Sequence, residues 1–161
     1  MLNNNYAFID GQNLDKSIRE LGWKLDYKKF KVFLDMNFLI TKSFYFIGYI
    51  PENQKLYKDL GNSGFTLSLR KPVKDSLGNI RTNVDSNLIT HTLMKIDSYN
   101  KAVIVAGDSD YYFLAKCLLR QNKLKQILIP SSSKCPNVFK QYKNFRNYIS
   151  YLDRQREDLQ K

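Results

Sequence analysis

Histidine is almost missing from this 161-residue chain; His91 is the single one. That shortage excludes a histidine pair for acid–base cleavage of RNA, and any histidine-rich zinc site within one chain. Cysteine is nearly as scarce. Cys117 and Cys135 lack CxxC spacing and cannot build a disulfide framework, which fits a reducing cytosol. Cys117 stands among Phe113, Leu114 and Leu118 and reads as core packing. No apolar run approaches the roughly 18 residues of a membrane span. The opening MLNNNYAFIDGQNL has neither the basic start nor the apolar stretch of a signal peptide. The expectation is a soluble, cytoplasmic protein with no membrane partner.

Acids are the minority charge. Lys and Arg number 26 against 15 Asp and Glu, for a formal charge of +11. With 43% hydrophobic residues the chain is too apolar for a disordered basic tail, so it reads as a folded domain that attracts polyanions. The imbalance is local. From Tyr111 to Leu152 there is no acid, but eight cations: Lys116, Arg120, Lys123, Lys125, Lys134, Lys140, Lys143 and Arg146. Tyr142, Phe145, Tyr148 and Tyr151 are interspersed, the first three at a spacing that suits a buried helical face. This stretch is the candidate for phosphate contact.

What is present in quantity is short apolar runs. Tyr6–Ile9, Ser43–Ile50, Phe65–Leu69, Ala102–Ala106 and Gln126–Ile129 read as five strands. Between them lie helical spacings: Leu14, Ile18, Leu21; Phe30, Phe33, Leu34; Leu88, Thr92, Leu93, Ile96; and Leu114, Cys117, Leu118. The alternation predicts an α/β fold, a three-layer α/β/α sandwich on a mainly parallel five-stranded sheet of Rossmann-like type. Residues 71–83 read as a loop or small hairpin. Residues 1–152 form the domain, and 153–161 read as a charged helical end or frayed terminus.

The few acids are placed pointedly. Asp10 follows the first strand, Asp108 and Asp110 follow the fourth, and Asp85 opens the helix before it. Ligands of open parallel sheets bind at carboxyl ends, where strand order reverses. If the first and fourth strands are neighbours there, Asp10 and Asp108 converge and Asp85 reaches them. Crowded carboxylates need a cation, and oxygen ligands without thiolate or imidazole select Mg²⁺ or Mn²⁺. Asn13 would orient a carboxylate or phosphate; Ser109 opens a helix whose amides can receive a phosphate. Singly, each Asp is explained as a turn or a helix cap. Asp15, Asp26, Asp35, Asp59, Asp75 and Asp97 read as surface acids or caps.

FIDGQN at 8–13, NVDSNL at 83–88 and VAGDSDY at 105–111 resemble the three signature blocks of the NYN domain family, across roughly residues 5–150. The resemblance implies a fold similar to PIN-type ribonucleases, an acidic Mg²⁺ or Mn²⁺ pocket, and RNA as the partner. Asp10, Asn13, Asp85, Asp108 and Asp110 would form its active site, with Asp10, Asp85 and Asp108 as metal ligands. Ser109, Lys116, Arg120, Lys123, Lys140, Lys143 and Arg146 would then meet the RNA backbone. Two positions depart from the family pattern: Thr82, where members often place Lys, and His91, where many carry an acid. They motivate a second reading, a catalytically weak RNA-binding or scaffold protein of the same fold. A third is a haloacid-dehalogenase-type phosphatase built on Asp108-x-Asp110. A homodimer is left open.

Overall fold

The run NYAFID folds as β1 (Asn5–Asp10), every residue of it buried, in a computed structural model that describes residues 3–161. A strand covered on both faces reads as continuous apolar sequence, with no alternation. The chain continues through α1 (Gly11–Glu20), α2 (Tyr27–Phe38), β2 (Ile40–Gly48), α3 (Gln54–Asn62) and β3 (Thr66–Arg70). A hairpin of β4 (Val73–Lys74) and β5 (Ile80–Arg81) leads into α4 (Val84–Met94) and β6 (Ala102–Val105). Then come α5 (Tyr112–Arg120), β7 (Leu124–Ile129), α6 (Asn137–Gln141), β8 (Ile149–Tyr151) and α7 (Arg156–Leu159).

The sheet order is β3-β2-β1-β6-β7-β8, with every neighbouring pair parallel. From β1 the chain winds outward through β2 and β3; from β6 it winds the other way through β7 and β8. The reversal therefore falls between β1 and β6, paired from Tyr6↔Ala102 to Ile9↔Val105. Odd and even strand residues feed two separate cores. Ala7, Ile9, Tyr45 and Val103 pack with Leu14, Ile18, Phe30 and Leu60, contributed by α1, α2 and α3. Phe8, Phe44, Phe46 and Ile104 pack with Leu88 of α4, Leu118 of α5 and Phe139 of α6. Helices thus cover both faces, as the alternation predicts.

The sheet has six strands, one more than the sequence suggests. β8 is a three-residue edge strand, half-buried throughout, and such a short run carries almost no period-2 signal. Just before it, Tyr142, Phe145 and Tyr148 lie in a 3₁₀ stretch (Lys143–Tyr148) and its cap. Their spacing of three is the repeat of that tighter helix; Phe145 is buried and the two tyrosines half-buried. Cys117 is half-buried and Cys135 buried.

Residues 153–161 pack onto the domain. Leu152 and Leu159 are buried beside α2, the Asp26 amide donates to the Leu159 carbonyl at 2.8 Å, and Leu25 bridges to Gln160. Asp153 Oδ2 accepts from both the amide and the hydroxyl of Ser132. Among the described residues no helix is long and apolar enough to cross a membrane.

Candidate active site

Asp10 is at once the end of β1 and the N-cap of α1. Its Oδ1 accepts from the Asn13 amide at 3.0 Å, and its Oδ2 from the Tyr111 hydroxyl at 2.7 Å. Both side chains are buried, at 6% and 1% exposure. Gly11 makes this turn feasible. A Cβ there would stand 2.1 Å from the Tyr45 ring and 2.9 Å from the Phe46 carbonyl, so only glycine lets α1 leave β1 against β2. Burial pushes the Asp10 carboxyl up, the Asn13 amide and Tyr111 hydroxyl pull it back, and the charges of Asp108 and Asp85 push it further up. The Tyr111 phenol is itself driven up by burial and by Asp10, so it stays a donor.

Across the reversal point, β6 is followed by Ala106-Gly107-Asp108. Asn13 Oδ1 accepts from the Gly107 amide at 2.8 Å, tying the loop after β6 to the first turn of α1. Asp108 caps the 3₁₀ turn Ser109–Tyr111 by accepting from the Asp110 amide at 2.9 Å. Asp85 lies in the first turn of α4, where Asn83 is the cap residue, so capping does not explain it. Asp110 is exposed. The charge of Asp108 raises its carboxyl first, then burial, then the charge of Asp85. Among the described residues none of these four acids has an ion-pair partner.

Asp10, Asn13, Asp85 and Asp108 line one pocket of about 300 Å³, together with Gln12, Lys16, Thr82 and Val84. Asp110 stands beside the lining. The three elements predicted to converge do so, because β1 and β6 are adjacent and α4 packs on β1 and β2. The expected ligands, Asp10, Asp85 and Asp108, are brought to one pocket but not into a closed cluster. Among the described residues no three Asp, Glu, His or Cys side chains are gathered closely enough to hold one ion by themselves. Both oxygens of Asp10 already accept hydrogen bonds, from Asn13 and Tyr111. The donors that remain are hard oxygens. They suit a cation such as Mg²⁺ or Mn²⁺, which takes one or two carboxylates and completes its shell with water and phosphate oxygens.

The predicted phosphate contacts divide. Ser109 is exposed at the mouth. The Lys116 ammonium lies over the Tyr112 and Tyr142 rings, at 5.4 and 5.1 Å. α5 runs back from the carboxyl edge of the sheet for about 13 Å at 1.5 Å per residue. Arg120 and Lys123 therefore end at the opposite edge from the acids. There Lys123 donates to the Tyr99 carbonyl at 2.6 Å, which makes it a tie within the fold. Lys140, Lys143 and Arg146 are exposed, outside the pocket lining.

Tyr111, Lys16 and Gln12 have no assigned role in the sequence reading, and Thr82 stands there only as a departure from the family pattern. Tyr111 is the partner of Asp10, and Lys16 supplies an ammonium to the pocket; neither belongs to a periodic or charge-run signal. Gln12 and Thr82 meet at the pocket rim, 3.4 Å apart. Asp15, read as a surface acid or cap, is instead held by the hydroxyls of Tyr45 at 2.9 Å and Tyr27 at 3.1 Å. His91 packs on the Phe44 and Phe46 rings, 5.0 and 5.4 Å between centroids, and does not line the pocket. Burial, then Lys95, lowers its pKa.

A doubly wound α/β/α sandwich with carboxylates at its reversal point is the architecture of PIN-like nuclease folds. More narrowly, the family model of the NYN domain matches residues 6–153, and the chain belongs to that family. Among curated proteins none matches. A crystal structure of a protein of unknown function from Vibrio parahaemolyticus is similar in fold, with a TM-score of 0.78 and 15% identity. The alignment covers 99% of this chain and 96% of that one.

Proposed function

We propose that the chain is a metal-dependent ribonuclease that hydrolyses phosphodiester bonds at the pocket between β1, β6 and α4. The observation that carries this reading is the gathering of Asp10, Asp85 and Asp108 from three elements into one pocket, where Lys16 is the single cation on the lining and none of the three forms an ion pair among the described residues. Like charges held together in a fold destabilise it unless a cation offsets them, and such a cation then draws a phosphate to the site. Asp85 and Asp108 would hold the cation, with Asp10 behind them, and Asp110 would orient the water around it. When bound, Mg²⁺ or Mn²⁺ supplies Lewis-acid activation of water and offsets charge on the leaving oxygen.

The chain's own residues do the positioning. Tyr111 and the Asn13 amide lock the Asp10 carboxylate in one orientation. The carbonyl of Asn13 is taken by Gly107, so its NH₂ group is the part that faces a phosphate oxygen. Lys16 adds a positive charge for a second phosphate oxygen. Water attacks phosphorus in line and the bond to the 3′ oxygen breaks. The proton of the water passes to the carboxylates, and the 3′ oxygen leaves as a hydroxyl after taking a proton from solvent.

The test is cleavage of single-stranded and structured RNA with Mn²⁺ by the wild type, Asp10→Asn and Asp108→Asn. Each substitution is expected to slow cleavage by at least about 100-fold, the size of loss typical when one preorganised charge-stabilising group is removed. Equal rates in all three overturn the mechanism. The looseness of the acid cluster favours the second reading, RNA binding without turnover. That reading requires a wild type that binds RNA and leaves it intact with either metal. The family assignment sets the phosphatase alternative aside.

A further inference from the structure

We infer that single-stranded RNA is held along the α1–α3 side of the domain, in a groove that starts at the acidic pocket and ends near Trp23. The acid-free final third is then not its main seat. The inference rests on the ribonuclease reading for the identity of the strand, but is read out by binding alone.

Three hollows lie in series and share walls. Gln12 and Thr82 line both the acidic pocket and a second hollow of about 530 Å³. Asp15, Arg19 and Leu56 line both that hollow and a third of about 440 Å³. Gly48 sits at the first junction, where a Cβ would come within 3.1 Å of the Thr82 methyl; the bare glycine lets the end of the hairpin close over β2. Helix α1 flanks the whole series. At about 15 Å it matches roughly four nucleotides of stacked single strand at 3.4 Å each.

The chemistry along this path alternates as a single strand requires. Cations recur: Lys16 in the first hollow, Arg19 at the second junction, Lys24, Lys55 and Lys161 in the third. None takes part in the three ion pairs among the described residues. Between them the second hollow offers Tyr49, together with Ile50 and Ile80, which are 48% and 67% exposed. Exposed apolar surface and a half-buried tyrosine, one face of its ring stacked on Tyr57 and the other left for a base, stand beside cations as base stacking with phosphates outside requires. Two acids border the third hollow. Asp15 is held by the hydroxyls of Tyr27 and Tyr45, and Asp59 is outnumbered by the cations around it.

The acid-free final third has fewer open cations than its sequence suggests. Of its eight cations, Lys116 covers two rings, Lys123 holds a carbonyl, and Lys134 is paired with Glu20. A high count of basic residues in sequence therefore overstates the number open to phosphate.

The experiment is binding of a fluorescein-labelled single-stranded RNA of about a dozen nucleotides, followed by anisotropy in EDTA so that no cleavage intervenes. Arg19→Glu/Lys55→Glu is expected to bind roughly tenfold more weakly than wild type. Its log-affinity against log-salt slope should be shallower by roughly 1.4, two contacts at about 0.7 each. Tyr49→Ala is expected to weaken binding at least about fivefold with the slope unchanged, since it removes a stacking surface. The milder Arg19→Gln/Lys55→Gln, expected to change in the same direction, carries the test if charge reversal perturbs folding. Lys140→Glu/Lys143→Glu is the opposing arm, and a larger loss there overturns the inference. So does an Arg19/Lys55 variant that binds within about twofold of wild type. A wild type that binds through these residues yet never cleaves supports the groove while ending the nuclease reading. Cleavage that both Arg19/Lys55 variants carry out with unaltered binding ends the groove alone.

Discussion

Asp10 and Asp15 lie five residues apart at the start of α1, and their immediate surroundings look alike. Each carboxylate accepts a tyrosine hydroxyl, and burial raises the pKa of each. What surrounds them at the next distance differs. Asp15 meets the second hydroxyl of Tyr27 and the compensating charge of Arg19. Asp10 meets Asp85 and Asp108, two more negative charges. A buried acid with a tyrosine partner is thus no mark of function in itself. The mark is charge concentrated beyond what the fold compensates, because that arrangement costs stability and persists where a ligand completes it.

The sharpest way to break this comparison is to neutralise each acid and measure both RNA cleavage and stability. Asp10→Asn is expected to lose cleavage by at least about 100-fold. Its stability should stay within about 0.5 kcal/mol of wild type, since Asn keeps the helix cap and relieves repulsion. Asp15→Ala should do the reverse. It leaves the buried Tyr45 hydroxyl and the half-buried Tyr27 hydroxyl without this acceptor, at about 1–3 kcal/mol by urea denaturation, and keeps the wild-type cleavage rate within a few-fold. Matching losses of cleavage at the two acids would erase the distinction.

Gly11 links the two acids, for the Tyr45 ring it admits also carries the hydroxyl that holds Asp15. Gly11→Ala forces that ring aside and is expected to cost about 1–3 kcal/mol, with some loss at both sites. An alanine variant of wild-type stability in the same urea titration would show that Tyr45 has room to move.

The smallest expected effect is in pH. The folded-state pKa of Asp15 lies above the unfolded value of 3.8. Its contribution to stability is therefore fully present below that unfolded value and is lost as pH rises through the folded one. Asp15→Asn removes this loss, so stability should decline less steeply than in wild type as pH rises above about 4. A parallel pair of curves would mean that Asp15 titrates alike folded and unfolded.

Much of the architecture is legible before folding. β1 and β6 are continuous apolar runs because both faces are covered; β1 ends in Asp10, and Asp108 stands in the loop just after β6. β8 is not legible, since three half-buried residues at an edge carry no period. Neither is the partnership of Tyr111 with Asp10, whose members are 101 residues apart.

The charge shows the same division. That the chain is basic, that residues 111–152 hold no acid, and that Asp10, Asp85 and Asp108 occupy element ends are properties of the sequence alone. They follow from local rules of strand burial, helix starts and composition. Which acids meet, which stays satisfied by tyrosines, and which cations remain open were decided only by tertiary structure. Strand order set β1 beside β6, and packing turned Lys116 and Lys123 onto aromatic rings and a carbonyl. Electrostatic pairing depends on distances of a few ångströms between elements far apart in sequence, and no periodicity encodes them.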